Sequence, residues 1–273
     1  MPKPAHLILL GITIVCTYAC TQKHDSAQSF ANPVMLASRD GKLHVDLVAA
    51  SGAYTIEGHQ FQGMLYNGQY MPPLWRLRSG DILTVTLHNQ LSEETNLHFH
   101  GLGVSPLNNG DNVFLHIAPG QTFTYQITIP EKHVGLFWYH PHAHGNVDQQ
   151  IIGGLSGGIL VEGSDRLYPF LKGLTEKVLL LKHHPIGRAD YEELVTVNGT
   201  VTPTILIRPG EAQFWQIGNI GADRFLRVKI DGMPFYLIGR DGYFVPRPIR
   251  MEEVILGPGQ RFSAIVVGGQ GGR

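Results

Sequence analysis

One run of turn and strand residues occurs twice, and that duplication limits what the chain can fold into more than any other feature. Asn67-Gly68, Pro72-Pro73 and Leu77-Arg78-Ser79-Gly80-Asp81 recur as Asn198-Gly199, Pro203 and Ile207-Arg208-Pro209-Gly210-Glu211. Leu87 and Asn89 recur as Ile217 and Asn219, and Pro119-Gly120-Gln121 with Phe123 recurs as Pro258-Gly259-Gln260 with Phe262. The copies lie about 130 residues apart, too far for a solenoid and right for a duplicated domain. Each Pro-Gly pair is a turn in which Pro fixes φ and Gly takes a conformation other residues resist.

Between these turns the residues alternate as strands do. Ile82–His88, Thr122–Ile129, Val178–Leu181, Thr204–Ile207, Phe225–Ile230 and Phe262–Val267 are β-branched or alternating. With 33 Gly and 17 Pro in 273 residues and almost no helical periodicity, the class is all-β, two tandem sandwich-like units. Hydrophobic residues at 43% and charged residues at 16% exclude a disordered or coiled-coil chain. A formal net charge of −1 offers no field for nucleic acid.

Both cysteines, Cys16 and Cys20, lie in the first twenty residues, beside the apolar Leu7–Val15 stretch and after Lys3. This pattern predicts an export signal over 1–20 that is too short to span a membrane. Thr17-Tyr18-Ala19-Cys20 approximates a lipoprotein signal, so the exported chain is periplasmic, anchored through Cys20 to the outer membrane, or extracellular. Residues 21–35, rich in Gln, Ser, Ala and Asn, are expected to be a tether, followed by units at 36–165 and 166–273.

The chemistry sits in the first copy. Asn96-Leu97-His98-Phe99-His100-Gly101 and Phe137-Trp138-Tyr139-His140-Pro141-His142-Ala143-His144-Gly145 each carry histidines at i and i+2. On a strand such residues share a face with Cα atoms roughly 6.6 Å apart, so four nitrogen donors can converge. Imidazole suits copper, zinc, iron and nickel, and the ligand types alone leave the metal open.

These two stretches resemble the copper-binding motifs in the first domain of the three-domain multicopper oxidases, the laccase-like family. The resemblance spans about residues 40–270 and includes the Pro-Gly turns, Gly153-Gly154-Leu155-Ser156-Gly157-Gly158 and Val197-Asn198-Gly199. It implies cupredoxin-like Greek-key sandwiches and copper as cofactor, in a trinuclear cluster that reduces dioxygen to water with electrons from a reducing substrate. It further implies that His98 binds the type 2 copper and that His100, His140 and His142 bind the type 3 pair. Asp111, in Asn109-Gly110-Asp111-Asn112, stands near a family acid that assists protonation of oxygen intermediates, or is a turn aspartate. His144 is read as a neighbour of the ligands or a surface residue; His116, in a Leu115–Ile117 strand, and His183-His184 are read as structural. Trp138 and Tyr139 are expected to orient the ligands.

Departures from the family bear on function. No cysteine follows Cys20, so a type 1 copper, whose ligands include a thiolate, is not expected in this chain. Val228 and Ile230 align with His98 and His100, so the second unit is expected to lack ligands. That unit is also expected to stop before its last strands, leaving an open sheet edge around Phe262–Val267 and requiring a third domain or complementary chain. The reading is the amino-terminal part of a multicopper oxidase. The alternatives are a non-redox copper-binding envelope protein and a structural cupredoxin-like adaptor. A copper nitrite reductase fits less well, because Pro141 stands where it would need a cysteine.

Overall fold

The computed structural model of the chain describes residues 7–11, 14–15, 28–131, 133–185 and 193–269. Among these, helix is confined to Val147–Gly153, Ser164–Leu167 and a 3-10 turn at Pro169–Leu171. Strands make up the rest of the regular structure, in two sandwiches.

In the first sandwich, His59–Tyr66, Lys42–Ile56, Ile82–Asn89 and Thr122–Thr128 form one sheet in that order. The facing sheet runs Met35–Ala37, Leu74–Leu77, Gly157–Val161, Gly135–His140 and His98–His100. Strand alternation sends Leu83, Val85 and Leu87 from one sheet and Phe99, Phe137 and Tyr139 from the other into one buried core. Each such side chain contributes about 1.5–3 kcal/mol when fully buried.

The second sandwich repeats the plan. Glu193–Val197, Thr175–Pro185, Ala212–Asn219 and Arg261–Val267 lie in the order of the first copy's four-stranded sheet, extended by Phe235–Arg240 and Tyr243–Met251. The repeat extends to hydrogen bonds. Asn67, at φ 52°, accepts from the Val48 N–H and donates to Asp46 O; Asn198, at φ 53°, accepts from Leu180 and donates to Val178 O. Asp81 and Glu211 each accept from the backbone N–H three residues earlier, at 2.7 and 2.9 Å. The Asn89 and Asn219 amides each tie their loop to a distant segment, through Ile117 O and Leu256 O.

Four expectations change here. Arg261–Val267 is no open edge: it pairs on both sides, with Ala212–Asn219 and Phe235–Arg240, and is mostly buried. Residues 28–33 are no free tether, because Phe30 bonds Thr204 O at 3.0 Å and Asn32 clasps Glu176 O and the Val178 N–H. Leu115–Ile117 is loop with a single bridge from Ile117 to Thr95. Val228 and Ile230 face the core of the second sandwich, as Phe99 does in the first. Along that strand Arg227 and Lys229 point the other way, out of the core.

Within the stretch read as an export signal, Leu7–Gly11 pairs parallel to Phe225–Lys229 and Ile14–Val15 pairs parallel to Ile205–Leu206. Lys3, Cys16, Thr17 to Cys20, residues 21–27 and 270–273 lie outside the described residues. Among the described residues no helix is long and apolar enough to cross a membrane.

The sandwiches meet through outward faces. Leu136 and Trp138 of one pack with Val178 and Leu180 of the other, and Gly158 lets Leu180 approach where any Cβ would collide. The histidines lie at the end of this apolar contact.

Candidate metal centre

His98–His100 runs antiparallel to Gly135–His140 with His98 opposite His140 and His100 opposite Trp138. Phe99 and Tyr139 point into the first core, so His98, His100, Trp138 and His140 share the other face. The ring centroids of His98 lie 5.6 Å from His100, 5.2 Å from His140 and 5.4 Å from His142. One ring nitrogen each from His98, His100 and His140 falls within 4.8 Å of the others, a group of donors able to hold a metal ion.

His142 arrives differently from the strand geometry expected, since the strand ends at His140. A buried amide holds it instead: Asn96 Oδ1 accepts from the His142 N–H at 2.6 Å, while Asn96 Nδ2 donates to Val113 O and Leu115 O, each at 3.0 Å. The role of Asn96 is not legible from the motif that contains it, because it depends on where residues 113–115 fold back.

Hydrogen bonds fix the imidazole tautomers. Asp111 Oδ1 accepts from His98 Nδ1 at 3.0 Å and from the Phe99 N–H at 3.0 Å, so Asp111 holds a histidine as well as a turn. His140 Nδ1 donates to Pro141 O at 2.7 Å, which leaves its Nε2 lone pair facing His100 Nδ1 at 3.3 Å. Burial, with the nearby Arg261 and His98 charges, pushes His100 down to about 3. Burial and His98 hold His140 well below the usual imidazole range. Both rings stay neutral at pH 7, the form a metal requires.

Trp138 stacks on His140 at 4.0 Å and lies 4.9 Å from His100. Tyr139 does not share that role: it stacks on Trp75 at 3.7 Å within the first core, because neighbours on a strand face opposite ways. His144 is exposed against Phe114 at 5.3 Å. His116 is exposed and paired with Glu94. His183 pairs with Asp223 at 2.8 Å and His184 with Tyr54 at 2.6 Å, away from the cluster.

The residues fit a cation that takes nitrogen donors. Three imidazoles converge, two of them resisting protonation, and the buried Nδ1 of His142 has no hydrogen-bond partner. An outward-facing imidazole cluster on one of two duplicated β-sandwiches defines a metal-binding cupredoxin-like protein.

Residues 48–166 and 176–272 each match a multicopper oxidase family profile, and the chain belongs to the multicopper oxidase family. Family membership makes copper the metal. The chain is 27% identical over 242 residues to the multicopper oxidase mco of Staphylococcus haemolyticus, covering 83% of this chain and 54% of the relative. It is 26% identical over 250 residues to the cell division protein FtsP of Xenorhabdus nematophila, covering 86% and 52%. The chain thus spans about half the length of these curated relatives. It superposes on the Campylobacter jejuni multicopper oxidase, a metallo-oxidase, with a TM-score of 0.76 at 26% identity, covering 90% of this chain and 55% of that one.

Proposed function

We propose that this chain supplies half of the oxygen-reducing copper site of a multicopper oxidase, with His98 on the type 2 copper and His100, His140 and His142 on the type 3 pair. The observation that carries the reading is the convergence of three imidazole nitrogens within 4.8 Å, at rings whose burial suppresses protonation. Bound copper supplies one-electron redox chemistry, so that four electrons from a reducing substrate and four protons convert one dioxygen into two waters. The chain's own residues orient and shield that chemistry. Asp111 fixes the His98 tautomer and sets a carboxylate beside the cluster for moving protons. Asn96 sets His142, and Trp138 excludes water from one side of His100 and His140.

We read 36–165 as the metal-bearing unit and 166–273 as a second unit without ligands. No cysteine follows Cys20, so the type 1 thiolate and the other four histidines of such a site would come from a third cupredoxin domain or a complementary chain. Export, with Cys20 as an acylation site, fits the first twenty residues. Similarity to FtsP keeps an adaptor role in view, but an adaptor has no use for converging neutral imidazoles.

Metal analysis of the purified chain beside a His98→Ala/His140→Ala double variant tests the reading. Copper held by the parent and lost from the double variant is the expected result. Equal copper in both overturns it.

A further inference from the structure

Among the described residues the imidazoles of the cluster all come from the first sandwich, yet a turn of the second forms the wall behind it. Gly259, at φ 75°, sits in the Pro-Gly turn that launches Arg261–Val267. A Cβ on Gly259 would stand 2.9 Å from His100 Cε1, 3.3 Å from His100 Nε2 and 3.3 Å from the Trp138 ring. Its counterpart in the first sandwich, Gly120, has the same φ sign, and a Cβ there would meet nothing within 4 Å. Turn geometry alone explains Gly120; at Gly259 the histidine adds a second demand.

Arg261 follows, where the first copy has an exposed Thr122. Its guanidinium is buried and crosses between the sandwiches: Nε donates to Leu136 O at 3.1 Å and Nη1 to Gly259 O at 2.8 Å. Asp241 Oδ1 accepts from Arg261 Nη1 at 3.3 Å and from the Arg261 N–H at 2.8 Å. The guanidinium carbon stands 5.5 Å from the Phe137 ring centroid, and Nη2 packs against Gly101, the residue after His100, where any Cβ would collide. That Nη2 is buried without a protein partner. A buried charge is a costly strut if packing were its only task, since an apolar side chain would serve without desolvation. A planar fork that reaches Leu136, Gly259 and Asp241 at once fixes the strand and the turn that bracket His100.

We propose that Arg261 and Gly259 are positioning residues for His100, through which the second sandwich sets the geometry of a metal centre it does not ligate. This rests on the reading of the histidines as copper ligands.

The test adds Cu(II) to the full chain and to its Arg261→Lys, Gly259→Ala and His98→Ala/His140→Ala variants, measuring affinity by titration and the ligand set by electron paramagnetic resonance. Circular dichroism reports folding. Lysine keeps the charge but not the fork, and alanine pushes on His100 directly. Both are expected to stay folded, to bind copper roughly 10- to 100-fold more weakly, as for other groups that orient ligands, and to change the nitrogen hyperfine pattern. If Arg261→Lys does not fold, Gly259→Ala decides the matter alone. Parent-like affinity and spectrum in the folded variants, with copper lost from the double histidine variant, overturn the positioning role and leave the ligand reading intact. Copper retained by the double histidine variant overturns the ligand reading, and this proposal with it.

Discussion

A single oxygen of Asp111 accepts both His98 Nδ1 and the Phe99 backbone N–H, each at 3.0 Å, so this carboxylate ties an imidazole to the strand that carries it. A carboxylate can only accept here, which places the ring hydrogen on Nδ1 and leaves Nε2 as the donor atom for a metal. Asp111→Ala removes that tautomer bias and frees the ring to rotate. Copper affinity is expected to fall roughly 10- to 100-fold, the usual effect of deleting a partner of a ligand. Isothermal titration measures it, and unchanged affinity would show that Asp111 serves the turn alone.

Trp138 and Tyr139 are adjacent and are expected to respond in opposite ways. Trp138→Ala removes the indole stacked on His140 and opens a cavity at the sandwich boundary, costing about 3–5 kcal/mol and weakening copper binding. Tyr139→Phe loses only a long hydroxyl contact to Pro73 O, 3.4 Å, and keeps the stack on Trp75. Its stability is expected to change by about 1 kcal/mol or less, with parent-like copper binding. Denaturant melts and metal titrations of both variants check the contrast; copper loss in Tyr139→Phe would mean that the two faces of the strand are not independent.

The period of 2 was legible in the sequence, and it is why the strands, the duplication and the converging His98, His100 and His140 could be read there. The same period puts Trp138 and Tyr139 on opposite faces of their strand. Other features depend on where distant segments meet. His142 reaches the cluster through Asn96, which is itself fixed by carbonyls about twenty residues downstream. Arg261 looks like a strand-start residue until the two sandwiches dock and bury it against Leu136 O. The inward facing of Val228 and Ile230 is not legible from the repeat, because the loops after Asn89 and Asn219 differ: Asn89 reaches Glu93 O, four residues on, whereas Asn219 reaches Arg224 O, five residues on.

Asn96 connects that loop to the metal centre, so its loss is expected to be felt twice. Asn96→Ala strands two carbonyl groups and the His142 N–H in a partly buried setting, where each unpartnered group costs about 1 kcal/mol, the low end for buried groups. A total near 3 kcal/mol is expected by urea unfolding. Copper affinity should fall as well, because His142 loses its backbone anchor. A stable variant with parent-like copper binding would show that residues 113–115 hold their place without the amide.

Lys182 gives the fold a pH dependence of defined sign. Its ammonium is fully buried between the sandwiches, donating to Tyr70 O at 2.6 Å and Gly154 O at 3.0 Å, with the Tyr70 ring 4.7 Å from it. Burial pushes it down from 10.5 to about 7. Below pH 7 both folded and unfolded chains hold the proton, and this group adds no slope. Between pH 7 and about 10 the unfolded chain holds the proton and the folded chain does not, so stability rises with pH by up to about 1.4 kcal/mol per unit. Lys182→Met removes the titration, and subtracting its melting profile from the parent's isolates the effect from every other group. The difference between parent and variant is expected to be flat from pH 5.5 to 6.5 and to move in the parent's favour from pH 7 to 9. A difference that stays constant across pH 7 to 9 would show that Lys182 keeps its proton in the fold, held by the two carbonyls and the Tyr70 ring.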